Sequence, residues 1–314
     1  MSSSSSTIPK FERIRKRQLS PDQAHIQIQT KKSSMFSKTL LTHDDYENIY
    51  KNMTILFVGE NSIRILYRDL IKVITTGRLL DYTEASCCNG HYKIVEGETI
   101  IKAEGSIGTV GYKNIRKFKS INNSINIIFI YLPTIMDYDL TVDNLRYLQD
   151  EKLENKIDFI IFGSYAQDMT KEKIIQSNLT YKEYVDKYLV SLDSVARYLK
   201  TFSKQQQHQK REQLFWISPY PFKPDMSHEE TCEFERINKE IDNIMKLNMY
   251  QKYDRFDLFV RRPDLVITRI SHFSLHGVRE ISDSIARTIG QQMNRSFTPA
   301  IPFPSTPLTK KEQQ

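Results

Sequence analysis

Met53, Ile55, Leu56, Phe57 and Val58 form an almost unbroken apolar run, followed by Gly59 and the polar corner Glu60-Asn61-Ser62. Apolar residues then recur at 63, 66, 67, 70 and 74. The pattern predicts a buried strand, a tight turn and a helix that returns over the sheet. Gly59 allows the sharp turn, and Asn61 or Ser62 is placed to cap the helix. Further buried strands are predicted at 125–132, ended by Pro133, at 157–163, and at 213–217, ended by Pro219 and Pro221; a short last strand is predicted at 256–259. Residues 112–118 alternate imperfectly and read as an edge strand. Helical periodicity marks 42–52, 141–153, 181–204, 230–249 and 278–289, with Gly290 as a C-cap candidate. Tyr46 and Tyr50 share one face of the first of these helices.

Strands alternating with helices indicate an α/β fold with a central, largely parallel sheet covered on both faces. No repeat and no internal boundary appears between 41 and 295. Thr75 to Thr109 is polar, contains five glycines and has little period, which predicts a binding loop or a small hairpin. Residues 1–40 lack a sustained period and begin Met1-Ser2-Ser3-Ser4-Ser5-Ser6, which predicts a disordered arm. Residues 296–314 hold four prolines and read as a flexible tail.

The net charge of +7 is confined to these ends. Residues 1–40 carry eight basic against two acidic side chains, the last 19 residues add one further positive charge, and 41–295 is neutral. A nucleic-acid binder more usually carries a basic stripe on its folded part, so any such role is assigned to the ends alone. Arg13-Ile14-Arg15-Lys16-Arg17 is a candidate patch for an anionic partner or for nuclear import. Cys87, Cys88 and Cys232 have no CxxC spacing, which suits a reducing compartment and neither a disulfide framework nor a thiolate zinc site. The chain has no apolar signal core and no run near the roughly 18 residues of a membrane span. A cytoplasmic or nuclear location is expected.

No P-loop, GxGxxG turn or HExxH is present, and the histidines form no metal-like cluster, so neither a cofactor nor a metal is expected. Candidate chemistry lies in three loops: Gly59-Glu60-Asn61-Ser62, Gly163-Ser164-Tyr165-Ala166-Gln167-Asp168, and His272 to Gly277. Loops at the ends of parallel strands gather reactive groups from distant sequence. Ser62 and His276 are candidates for nucleophile and base, with Gln167 as an amide donor to a developing oxyanion. The alternative is structural: Ser62 as a helix cap, His276 as packing, Gln167 as a loop contact.

The three loops and their intervals resemble the PC-esterase domain-containing proteins of animals, a branch of the GDSL/SGNH hydrolase-like superfamily. The resemblance covers roughly 46–292. It is carried by Phe57 to Leu70, Tyr112 to Ser120, Phe129 to Leu140, Phe162 to Met169, Leu214 to Pro221, and His276 with its helix. It implies a three-layer α/β/α SGNH-hydrolase-like fold. In the register of the resemblance, Glu60 stands at the family's Asp and Asn61 at its nucleophilic Ser, leaving Ser62 one position late, about 100° further around the coming helix. Phe273 stands where the family has the acid that orients His276, and Asp168 matches a family aspartate. Another acid, Asp264 or Asp168, would have to approach His276 for an intact triad. The expectation is a catalytically degenerate scaffold, not an enzyme, whose former crevice of Gly59, Glu60, Asn61, Gly163, Gln167, Asp168 and Phe273 receives an unidentified ligand or protein. The alternative is a serine ester hydrolase, an acyl or O-acetyl esterase with rearranged residues, using Ser62 and His276.

Overall fold

The side chains of Met53–Gly59 (β1) divide alternately between two cores, as the period of a strand requires. Ile55 and Phe57 point to one face of the sheet, Leu56 and Val58 to the other, and all four are buried. The computed structural model describes residues 40–85, 94–106, 109, 111–122, 124–204, 213–220, 226–267 and 272–299. The basic patch at 13–17 and the glutamine-rich stretch at 205–210 lie outside the described residues.

In chain order the elements are α1 (His43–Tyr50), β1, α2 (Asn61–Thr76), α3 (Tyr82–Ala85), β2 (Glu98–Glu104), β3 (Lys113–Lys119) and β4 (Ile125–Tyr131). Next come α4 (Tyr138–Asp150), β5 (Phe159–Gly163), α5 (Lys171–Gln176), α6 (Tyr181–Lys200), β6 (Leu214–Ile217) and α7 (His228–Leu247). The chain continues through β7 (Gln251–Tyr253), α8 (Arg255–Arg261), β8 (Val266–Ile267), β9 (His272–Phe273) and α9 (Leu275–Gln292). One face of the sheet packs against apolar residues of α1, α2 and α9, the other against those of α4, α6 and α7. The ring pair Tyr46–Tyr50 stacks with centroids 6.1 Å apart, as their spacing predicts.

The seven-stranded sheet has the order β2-β3-β4-β1-β5-β6-β7. β4, β1, β5, β6 and β7 run parallel, whereas β2 pairs antiparallel with β3 and β3 antiparallel with β4. This corrects the expected SGNH-type, largely parallel sheet: the sheet is mixed, with an antiparallel pair closing one side. β2 escaped prediction because most of its side chains are exposed, leaving no apolar run or alternation. It turns part of the 75–109 stretch, expected as a binding loop or a small hairpin, into strand. It also makes β3 an interior strand, not an edge.

Two further assignments change. Residues 256–259 belong to helix α8, whose start is capped by the Asp254 side chain accepting from the Asp257 N–H, and the last strand of the large sheet is β7, just before it. Gly290 lies within α9, not at its end. A Cβ there would come within 2.7 Å of the Phe297 ring. Residues 296–299 lie against this part of the fold, with the Thr298 N–H and hydroxyl donating to Asp45 at 2.9 and 2.8 Å.

β1 is the first strand in the chain; β4 flanks it on one side and β5 on the other. The carboxyl end of β1 is therefore a topological switch point, where an open α/β sheet leaves a crevice. Among the described residues, no helix is long and apolar enough to cross a membrane.

Candidate active site

Gly59 ends β1 with φ +148°, and a Cβ there would lie 2.0 Å from the carbonyl oxygen of Gly163 on β5. Gly163 in turn leaves room for Ile63, whose Cδ1 would sit 2.6 Å from any Cβ added there. The two glycines thus contribute space: they let the first turn of α2 settle directly on the ends of β1 and β5.

Glu60 is the N-cap residue of α2, with an extended backbone and no side-chain cap bond, so the predicted cap at Asn61 or Ser62 is corrected by one or two positions. Asn61 opens the helix and is exposed. Ser62 is partly buried, and its Oγ donates to Glu60 Oε1 at 3.3 Å. The Glu60 side chain turns inward, leaving the residue 4% exposed, and its Oε2 accepts the Gln167 N–H at 3.0 Å. Burial pushes its carboxyl above the ordinary glutamate range; the Gln167 N–H and the positive charge of Arg255 oppose that rise, and Asp168 adds to it.

The Gln167 side chain, nominated as an oxyanion donor, donates through Nε2 to the Tyr131 hydroxyl at 3.0 Å. The Tyr131 ring lies under the Arg64 guanidinium, 4.6 Å from its centroid. Asp168 is buried and fastens the loops after β4 and β5 together. It accepts from the Thr134 hydroxyl, from the Ile135 N–H at 3.0 Å and from Ser164 Oγ at 3.2 Å, with Lys173 Nζ at 3.5 Å.

His276 stands exposed in the first turn of α9, where Ser274 is the N-cap and accepts the Gly277 N–H at 3.2 Å. Among the described residues no hydrogen bond joins His276 to Ser62 or to a carboxylate. Asp264, one of the two acids considered for it, is held by Arg262 Nε and Nη2 at 2.9 and 2.8 Å. Phe273 is buried with its ring edge-on to Tyr220, centroids 5.4 Å apart. Arg255 also lies against Tyr220, its guanidinium 4.6 Å from the ring centroid. Arg255 is buried, donates from Nε to the Ser218 carbonyl at 2.8 Å and from its backbone N–H to Ser218 Oγ at 2.9 Å.

The structure therefore connects Ser62 to Glu60, and Glu60 electrostatically to Arg255, which Tyr220 and Ser218 hold in place. Sequence reasoning missed Arg255, Tyr220 and Tyr131. Arg255 fell next to a stretch misread as strand; Asp254, three residues before Asp257, was the available cap signal. Among the described residues no group of three or more His, Cys, Asp or Glu could hold a metal ion. Cys232 is a free, exposed thiol, and Cys87 and Cys88 lie outside the described residues.

No protein-family model matches the chain, and no curated protein does. Solved structures with a similar course of chain include the acetylxylan esterase Axe2 from Geobacillus stearothermophilus, at TM-score 0.41 and 14% identity, covering 77% of this chain and 96% of that one. A catalytic mutant of the same esterase gives TM-score 0.43 at 13% identity over the same shares of the two chains. LAE5, an alpha/beta hydrolase enzyme from the metagenome of Lake Arreo, Spain, gives 0.40 at 12% identity, covering 76% and 96%. At these values no activity or substrate passes from those proteins to this chain. The expected membership in the PC-esterase branch of the GDSL/SGNH superfamily is corrected: no family model supports it, and the mixed sheet departs from the fold it implied.

The expected degenerate, non-enzymatic scaffold is corrected on the geometry of the site itself. Its premises were that Asn61 stands at the nucleophile's position, leaving Ser62 one position late, and that Phe273 stands where an acid would orient His276. Ser62 is the second helical residue, with its hydroxyl on a buried carboxylate.

Proposed function

We propose that the chain is a serine-dependent ester hydrolase whose nucleophile is Ser62. The observation that carries this reading is the hydrogen bond from Ser62 Oγ to buried Glu60 at the switch point of the sheet. A serine hydroxyl is a weak nucleophile until a base stands within reach of its proton, and here a carboxylate does. The 3.3 Å separation is long for a hydroxyl on a carboxylate, as such bonds often are before substrate enters. The position adds an electrostatic benefit. The first turn of a helix carries the positive end of its dipole, so negative charge developing beside Ser62 is stabilised.

The test is hydrolysis of short acetyl and acyl esters by the full chain, together with labelling by a fluorophosphonate. Turnover and labelling are both expected, and Ser62→Ala is expected to abolish labelling and lower turnover by roughly 10⁴-fold or more. Turnover that survives Ser62→Ala would refute the reading.

A further inference from the structure

Resting on Ser62 as the nucleophile, we infer that Glu60, two residues before it on the same turn, is the general base that takes its proton, with Arg255, held on Ser218 and Tyr220, as its positioning residue. Glu60 is the carboxylate in contact with Ser62 Oγ, at 3.3 Å, whereas among the described residues His276 has no bond to that serine or to an acid that would orient it.

Glu60 is also fixed for the task. Its far oxygen is held by the Gln167 N–H at 3.0 Å, which leaves Oε1 facing the serine. The Arg255 charge opposes protonation of the buried carboxyl. Ser218 accepts from both the Nε and the backbone N–H of Arg255, and the guanidinium rests on Tyr220. Phe273 packs edge-on against the same Tyr220 ring. The residue in the place of an acid thus supports, through the aromatic ring, the arginine that serves a different acid.

In the reaction, Ser62 Oγ attacks the ester carbonyl carbon as its proton passes to Glu60 Oε1, and the carbonyl π pair moves to oxygen. Collapse of the tetrahedral intermediate breaks the ester C–O bond, and the leaving alkoxide takes the proton from Glu60. A water then attacks the acyl-serine carbon, giving its proton to Glu60. The second collapse releases the carboxylic acid and returns the proton to Ser62 Oγ, which restores the starting state. No oxidant, reductant or metal enters the balance.

The test combines Glu60→Gln, isosteric and still able to accept the Gln167 N–H, with the pH profile of fluorophosphonate labelling in the wild-type chain. Glu60→Gln is expected to lower kcat by about 10²–10⁴-fold with KM little changed. Wild-type labelling is expected to rise through a pKa above the ordinary glutamate range that barely moves with temperature, as for a carboxyl and unlike an imidazole. Arg255→Gln is expected to move that limb to higher pH, a shift that a merely structural role would not give. His276→Ala is expected to keep the limb where it is. If Glu60→Gln retained turnover while His276→Ala abolished it, or if the limb showed the temperature dependence of an imidazole, the inference would fall and Ser62 would stand. Turnover in Ser62→Ala would take down both. The wild-type labelling profile decides the question even if a variant does not fold.

Discussion

Arg279→Met tests how the two helices that carry Ser62 and His276 are held together. Asp69 lies on α2 two turns beyond Ser62, and Arg279 on α9 three residues beyond His276. The Arg279 side chain is 4% exposed and that of Asp69 is 1% exposed. Arg279 Nε lies 3.1 and 2.9 Å from the two Asp69 oxygens, Nη2 is 2.9 Å from Oδ1, and Nη2 also donates to the Arg78 carbonyl at 2.7 Å. Removing one partner of such a pair leaves a buried charge uncompensated and costs about 3–5 kcal/mol, a large part of the roughly 5–15 kcal/mol that holds a domain folded. Replacing both partners with apolar residues removes the desolvation penalty together with the attraction, so Asp69→Leu/Arg279→Met is expected to lie near the wild type or above it. Urea unfolding at neutral pH, read as a change in midpoint at constant m, measures all four corners of the cycle. A coupling of about 3 kcal/mol or more is expected. Single variants costing under about 1 kcal/mol, or a double variant equal to their sum, would show that the pair does not clamp α2 to α9.

Glu280 gives a second, independent handle. It is 9% exposed, and burial pushes its carboxyl up to about 7. Between the ordinary glutamate range and that value the folded state holds a proton the unfolded chain has released, so stability falls as pH rises through this window and levels off above it. At about 1.4 kcal/mol per pKa unit the change is roughly 3 kcal/mol, and Glu280→Gln is expected to flatten it in pH-dependent thermal melts. A slope unchanged in the variant would place the effect elsewhere. Gly59→Ala combines a left-handed backbone with a Cβ 2.0 Å from the Gly163 carbonyl. It is expected to cost at least about 3 kcal/mol or to prevent recovery of folded protein. A Tm within about 2 °C of wild type would contradict the geometry.

Local chemistry was enough to announce β1, β4, β5 and β6 and the long helices, because strands buried on both faces are nearly all apolar and surface helices carry a period of 3.6. The three loops could likewise be picked out, since glycines and polar corners interrupt those runs. Pairing partners could not be read this way. β2 is a mostly exposed strand without a sustained apolar alternation, and its ladder with β3 is made by main-chain N–H and C=O groups that nearly every residue carries. Hence the mixed sheet was hidden. Residue 62 was known to be serine from the chain alone, but whether its hydroxyl would cap a helix or meet a carboxylate depended on where α2 starts. That start is at Asn61, and Gly59, Gly163 and Ile63 decide it by close contact between segments about a hundred residues apart. Arg255, Tyr220 and Phe273 are likewise unremarkable in one dimension. Only the packing of α8 and the loop before α9 behind the ends of the strands places an arginine where its charge reaches Glu60, because Coulomb interaction follows distance in space, not separation along the chain.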